Sequence, residues 1–347
     1  MNTSLGRSAI IVGPRLVETQ NVDTPELTPG HVLLRSLYSG ISAGTEMNVY
    51  RGLAPQWTKT QDPITGLFES GKISDWSYPL EYGYANVGEI IEVGDGVDPE
   101  LVGRVAFSYS PHRDYNVAAA TAVLLLPDFA DRRIGVLNAN LNTALNGVLD
   151  AGIAIGDVVV VSGLGVIGQL VTRLVAKLEP ACLVVVDPLA KRRRTAILGG
   201  ADIALDPKSE CVAERVRELS ANRGADVVIE VSGAIPALNE AIRTVGRDGR
   251  VVAMSWYGGS CESLSLSGEF HHNRPRIVSS QVGTVNPDLG PLWSTARRQE
   301  RVSHYLGELD VAPLLTTELP ISKAGEAYAL VDSGDENVIQ CILTYEE

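Results

Sequence analysis

One segment limits what this chain can fold into more than any other: Asp157-Val-Val-Val-Val-Ser162, followed at once by Gly163-Leu-Gly165-Val-Ile-Gly168 and then by a helical stretch running to Leu178. An apolar run this short, bounded by Asp and Gly, reads as a strand buried on both faces. A Gly-x-Gly-x-x-Gly placed between such a strand and a helix is the context in which the motif binds a dinucleotide. Gly163 permits the tight turn, Gly165 lets backbone approach a pyrophosphate, and Gly168 lets helix and strand pack closely. Val166 and Ile167 then begin the helix, whose N-terminus favours an anion. The alternative is a packing turn with no ligand.

The next apolar run, Cys182-Leu-Val-Val-Val, ends at Asp187, nineteen residues beyond Gly168. A carboxylate there accepts hydrogen bonds from ribose hydroxyls and repels a 2′-phosphate, so NAD is the expected cofactor. NADP stays possible, because Lys191-Arg-Arg-Arg194 follows and Arg192 could meet the extra phosphate. The other reading of that run is a solvated helix face.

Strands and helices keep alternating to about residue 273. Ala225–Val231 and Arg250–Ser255 read as strands, Lys191–Leu198 and Pro236–Val245 as helices. This pattern predicts a Rossmann, doubly wound α/β domain with a parallel sheet over residues 129–273. Ser232 and Trp256 follow strand ends, where ligands bind in open α/β sheets, and are candidate cofactor contacts; Tyr257 is a candidate for the substrate pocket. From residue 7 to about 125 the texture is different: short runs such as His31–Tyr38, Gly88–Val93 and Arg104–Tyr109, broken by Gly, Pro and Asp, predict a β-rich region. A helical stretch at 293–309 and a strand near 339–343 close the chain, either as a small separate unit or as the completion of the first domain.

Composition removes several functions. The chain has 347 residues, 29 Lys+Arg and 42 Asp+Glu, so its net charge of -13 disfavours nucleic acid and anionic membrane as partners. No apolar stretch is long enough to span a bilayer, and the N-terminus lacks a signal-peptide core. The four cysteines are scattered with no Cys-x-x-Cys pair. A cytoplasmic protein with reduced thiols and a small-molecule substrate is the expectation.

The β-rich region, the central Rossmann domain and the C-terminal strand together resemble the medium-chain dehydrogenase/reductase superfamily, the alcohol-dehydrogenase-like proteins. The landmarks are Tyr38-Ser-Gly-Ile-Ser-Ala-Gly-Thr-Glu46, Tyr82-Gly-Tyr-Ala-Asn-Val-Gly-Glu-Ile-Ile-Glu-Val-Gly94 and Asn142-Thr-Ala-Leu-Asn-Gly147. The resemblance implies a GroES-like catalytic domain split between residues 1–128 and 274–347, a homodimer, and Thr143 beside the nicotinamide. It also locates where zinc members of the family bind their metal, and there this chain departs. The Cys position of the first landmark falls on Ser42 or Ala43, the His of the second on Tyr84, and the third ligand near Ala139; residues 86–115 have no cysteine for a structural zinc. Such a set cannot hold zinc, so no metal is expected.

Without zinc, side chains must manage the proton and charge that accompany hydride transfer. Tyr84 can donate a hydrogen bond, or remove a proton if its pKa is lowered; it can also merely fill volume. Glu46 is a candidate base or relay, or an anchor of its own loop. Ser42 is a possible hydroxyl donor, and His112 a loop imidazole suited to proton transfer or simply solvated. Trp57 and Trp76, with Tyr78 and Tyr82, form either an apolar substrate wall or a packing cluster.

The expected function is a zinc-independent NAD(P)-linked oxidoreductase acting on a secondary alcohol or ketone of a bulky, ring-containing metabolite. The Ser-Gly-Ile-Ser-Ala-Gly-Thr-Glu landmark and Ser-Pro-His loop also resemble the branch of bacteriochlorophyllide hydroxyethyl dehydrogenases. A quinone or enoyl reductase, and a non-catalytic NAD(H)-binding regulator, are the alternatives.

Overall fold

A computed structural model describes residues 5–70, 76–258 and 261–345. The chain divides into two compact units, one formed by residues 1–137 and 315–347, the other by residues 138–314.

The split unit begins with β1 (Leu5–Gly13), β2 (Leu16–Asp23) and β3 (His31–Ile41), then a short helix, α1 (Thr45–Tyr50). It continues through β4 (Lys59–Gln61), β5 (Phe68–Ser70), β6 (Leu80–Glu81), β7 (Asn86–Val93), β8 (Val105–Ser108), β9 (Tyr115–Ala119) and β10 (Leu124–Leu125). β1 pairs with β2 and β6, while β3 pairs antiparallel with β7 and β9. β3 shifts register against β7 at two places, and such irregularities bend a strand and increase its twist.

The continuous unit opens with α2 (Asn138–Ala151), followed by β11 (Val158–Ser162), α3 (Val166–Ala176), β12 (Cys182–Val186), α4 (Ala190–Leu198) and β13 (Ile203–Leu205). Its second half holds α5 (Val212–Leu219), β14 (Ala225–Glu230), α6 (Ile235–Thr244), β15 (Val245–Ala253), α7 (Glu269–Asn273), β16 (Arg276–Ser279) and α8 (Thr295–Glu308). All the strand pairings are parallel, and the order is β13-β12-β11-β14-β15-β16. Taking β11 as first, that is the 3-2-1-4-5-6 order of a dinucleotide-binding sheet. Every residue of β11 is buried, which explains its unbroken valines: each stabilises the fold by about 1.5–3 kcal/mol when taken out of water.

The chain then returns to the split unit with β17 (Leu315–Pro320), α9 (Ala324–Asp332) and β18 (Gln340–Thr344). β18 lies between β17 and β3, so the last strand is interior to the sheet begun by the N-terminal region.

The domain limits differ from those expected at 128/129 and 273/274, and the reason is packing. β16 adds a sixth parallel strand, and α8 packs along α2. Arg298 of α8 is buried, with Nε donating to Asn142 Oδ1 at 2.6 Å, Nη2 to the Val282 carbonyl at 2.6 Å and Nη1 to Asn146 Oδ1. A charge buried in that way binds residues 282–298 to the continuous unit. Among the described residues, no helix is long and apolar enough to cross a membrane.

Candidate active site

The glycine turn is built as its spacing requires. Gly163 has φ +92°, and a Cβ there would lie 2.6 Å from the Ser232 backbone nitrogen. A Cβ on Gly168 would lie 1.9 Å from the Gly163 carbonyl oxygen. Gly165 is different: a Cβ there would meet nothing within 4 Å. Its side is open, and no side chain caps α3, which begins at Val166 and Ile167. A helix start left uncapped beside open space suits a pyrophosphate.

Asp187 stands at the end of β12 and is buried. Its Oδ2 accepts the Leu164 N–H and its Oδ1 the Leu189 N–H, both at 2.8 Å. The carboxylate thus fixes the glycine turn and retains lone pairs for a ribose hydroxyl. Of the basic run, Arg193 is committed to structure, donating to the Asp187 carbonyl and pairing with Asp206 at 3.1 Å. Arg192 is half-buried, and its carbonyl accepts from Gln169 Nε2. Ser232 and Trp256 are exposed at the carboxyl ends of β14 and β15. The Thr143 hydroxyl donates to the Ala139 carbonyl one turn earlier in α2.

Tyr257, a candidate for the substrate pocket, is half-buried. It packs on the core of the continuous unit, and its hydroxyl donates to Glu230. Sequence reasoning passed over Glu230, although a carboxylate inside the apolar strand Ala225–Val231 was a readable signal.

In the split unit, the structure brings together most of the residues at which zinc was expected to be replaced. Glu46 and His112 are fully buried, and His112 Nε2 lies 2.9 Å from Glu46 Oε2. The Tyr328 hydroxyl donates to the same oxygen at 2.7 Å, while the Ser42 N–H donates to Oε1 at 3.0 Å. On the far side of the imidazole, Nδ1 is 2.6 Å from Ser39 Oγ, which in turn is 2.7 Å from the Tyr345 hydroxyl. Gly83, with φ +134°, makes room for the ring: a Cβ would lie 2.8 Å from His112 Nε2.

This arrangement bears on three expectations. The solvated reading of His112 is corrected: it is a buried link between Glu46 and Ser39. Of the readings of Glu46, the geometry matches the anchor of its own loop, since Oε1 accepts the Ser42 N–H while Oε2 accepts the Tyr328 hydroxyl. Ser39, His112 and Glu46 have the connectivity of a hydrolytic triad, yet a fully buried serine cannot attack a substrate. Tyr84 is half-buried, with Ser42 and Thr45 hydrogen-bonded to its hydroxyl. Burial, and next the negative charge of Glu46, push its pKa up. A phenol shifted in this direction keeps its proton at neutral pH.

Trp57 and Trp76 form an aromatic cluster: Trp57 stacks on Tyr78 with centroids 4.3 Å apart and meets Trp76 edge-on at 5.5 Å. Both tryptophans pack against the core of the split unit, which is the packing reading of the cluster. Ser39 lies in the Tyr38–Glu46 landmark but nothing in its type marked a role, and Tyr328 and Tyr345, far along the chain and ordinary in type, carried no signal.

As to a metal, the donor set does not fit zinc. Around the expected position only Glu46 and His112 could act as ligands, and each spends its donor atoms on the other and on hydroxyl or amide partners. Among the described residues no three His, Cys, Asp or Glu side chains converge on a metal position.

The profile of the zinc-binding dehydrogenase family matches residues 166–297. D-guloside 3-dehydrogenase of Escherichia coli (strain K12) is 28% identical, over 98% of this chain and 100% of the relative. A short chain alcohol dehydrogenase of Escherichia coli CFT073, solved with NADH, superposes with a TM-score of 0.80 at 18% identity, covering 99% of this chain and 100% of that one. A protein of Sinorhizobium meliloti 1021 bound to NADP gives 0.79 at 18% identity, over 98% and 99% of the two chains. In sheet order, glycine turn and these likenesses the chain resembles the medium-chain dehydrogenase/reductase, alcohol-dehydrogenase-like proteins, and it shares their fold.

Proposed function

We propose that the protein is an NAD(P)-linked oxidoreductase that exchanges hydride with a secondary alcohol on a sugar-like, ring-bearing metabolite, and that it does so without catalytic zinc. The observation that carries the reading is the glycine turn: open at Gly165, uncapped at α3 and tied to Asp187 within a 3-2-1-4-5-6 sheet. The likeness to a guloside dehydrogenase, full length on both sides, supports the substrate class. The buried Asp187 carboxylate supports NAD before NADP.

Oxidation of a CH–OH carbon removes one hydride, which the nicotinamide takes when bound, and one proton, which leaves the hydroxyl for solvent water. Gly163 to Gly168 and the start of α3 hold the pyrophosphate, and Asp187 the ribose. Tyr84, kept protonated, donates a hydrogen bond to the carbonyl oxygen of the ketone. Glu46, held by His112 and Tyr328, fixes the backbone of Ser42 and so supports the loop that orients Tyr84. The donor set around Glu46 supports the absence of zinc.

A homodimer is part of the proposal, supported by β16, whose outer edge has no strand partner among the described residues; light scattering that gave a monomer would remove it. The central test is turnover of NAD with glycosides and polyols carrying secondary hydroxyls. Tight NADH binding with no reduction of NAD by any of them would leave a nucleotide-binding protein and end the claim of catalysis.

A further inference from the structure

Glu230 ends β14 and is completely buried. Its carboxylate collects donors from two different loops. Oε1 accepts the Ser232 N–H at 2.8 Å together with the Ser232 hydroxyl, and Oε2 accepts the Tyr257 hydroxyl. Ser232 lies on the loop after β14, against Gly163, where a Cβ would come within 2.6 Å of its nitrogen. Tyr257 lies on the segment after β15, next to the exposed Trp256. One buried carboxylate therefore ties together the carboxyl-end loops of the fourth and fifth strands of the sheet, directly beside the glycine turn of the first.

That position has a functional meaning in this strand order. A 3-2-1-4-5-6 sheet binds a dinucleotide as two mononucleotide halves, one on each side of the crevice at strand one. Asp187, at the end of β12, belongs to the adenosine half; Ser232, Trp256 and Tyr257 belong to the other. We infer that Glu230 is a positioning residue for the nicotinamide half of the cofactor, holding Ser232 and the Trp256–Tyr257 segment at the rim against which that half is seated. The inference rests on the reading of this site as a dinucleotide site. Burying a carboxylate is costly unless its lone pairs are satisfied, and burial does push the Glu230 pKa up. A brace between two loops could be built from an apolar pair at less cost, so the carboxylate's ability to take donors from both loops at once is what the site uses. An amide offers only one accepting oxygen for them.

Two variants and two ligands test this. Dissociation constants for NADH and for ADP-ribose, which lacks the nicotinamide ring, are measured by titration calorimetry on the full chain, with thermal midpoints alongside. Tyr257→Phe keeps the ring that packs on the core and loses only its hydroxyl. It is expected to weaken NADH by about tenfold, the scale of one hydrogen bond to a charged group, with ADP-ribose unchanged. Glu230→Gln is expected to weaken NADH further, again sparing ADP-ribose. Should Glu230→Gln fail to fold, Tyr257→Phe still decides. Wild-type affinity for NADH in Tyr257→Phe, or equal weakening of both ligands, overturns the inference while leaving the dinucleotide site in place. If the wild-type protein binds neither ligand, the dinucleotide reading falls and the inference with it.

Discussion

The roles of single residues here follow from what surrounds them more than from their type. His112, a loop histidine in the sequence, is fully buried and bonded on both ring nitrogens. His112→Leu would leave Glu46 buried with one donor fewer, and leaving a buried acceptor short of a partner costs about 1–3 kcal/mol. Urea unfolding should show that loss, whereas the double variant Glu46→Met/His112→Leu should lose less than the single one; the opposite order would mean that the pair is not a unit. Tyr84→Phe should lower kcat/KM by roughly 10²-fold or more, the usual worth of a positioned proton donor. Because burial holds the Tyr84 proton in place through neutral pH, the acid limb of the rate profile should not move in Tyr84→Phe. An acid limb that vanished in the variant would restore the tyrosine as a base. Glu230 gives a pH signature of its own. Its folded pKa is raised by burial, so the stability it contributes is full below the unfolded carboxylate pKa, about 4.3, and is lost as pH rises through the folded value. The unfolding free energy of wild type relative to Glu230→Gln should decline over that interval, and a flat difference would contradict the assignment.

At the scale of elements, the strand–turn–helix around Gly163 was legible because three constraints coincide in a short stretch: a strand buried on both faces, glycines at fixed spacing, and an acidic residue ending the next strand. Gly168→Ala would place a methyl 1.9 Å from the Gly163 carbonyl oxygen and force α3 away from β11. A stability loss of about 1–3 kcal/mol is expected from overpacking, with weaker NADH binding. Asp187→Asn should reduce discrimination against NADP, since the amide no longer repels a 2′-phosphate; an unchanged NAD-to-NADP ratio in kcat/KM would assign selectivity elsewhere. The β-rich region was less legible. Its register shifts along β3 arise in the pairing with β7, and the interior position of β18 in a pairing such as Ile41 with Cys341, far away in the chain; no local pattern encodes either partner.

At the scale of the whole molecule, the chain has the fold of the zinc-binding dehydrogenases it resembles, with a hydrogen-bonded cluster around Glu46 and His112 inside the split unit. Elemental analysis of the purified protein should find zinc far below one per chain, and dialysis against EDTA should leave turnover intact. Stoichiometric zinc whose removal abolished turnover would refute the zinc-free reading. The domain limits show what length and texture cannot decide. Residues 274–314 look like a tail in sequence, but Arg298 and the pairing of β15 with β16 bind them to the continuous unit.

The sequence by itself determined the dinucleotide turn, the parallel sheet and the loss of the zinc ligands, because each rests on residues close together or on a residue type being absent. The tertiary structure decided the rest. It made a buried hydrogen-bonded pair of Glu46 and His112, a half-buried phenol of Tyr84 and a two-loop clasp of Glu230. The physical reason is the same in each case: the charge and hydrogen-bonding state of a buried polar group is set by neighbours that only folding supplies, here Ser39, Tyr328 and Tyr345 around His112 and Glu46, and Ser232 and Tyr257 around Glu230.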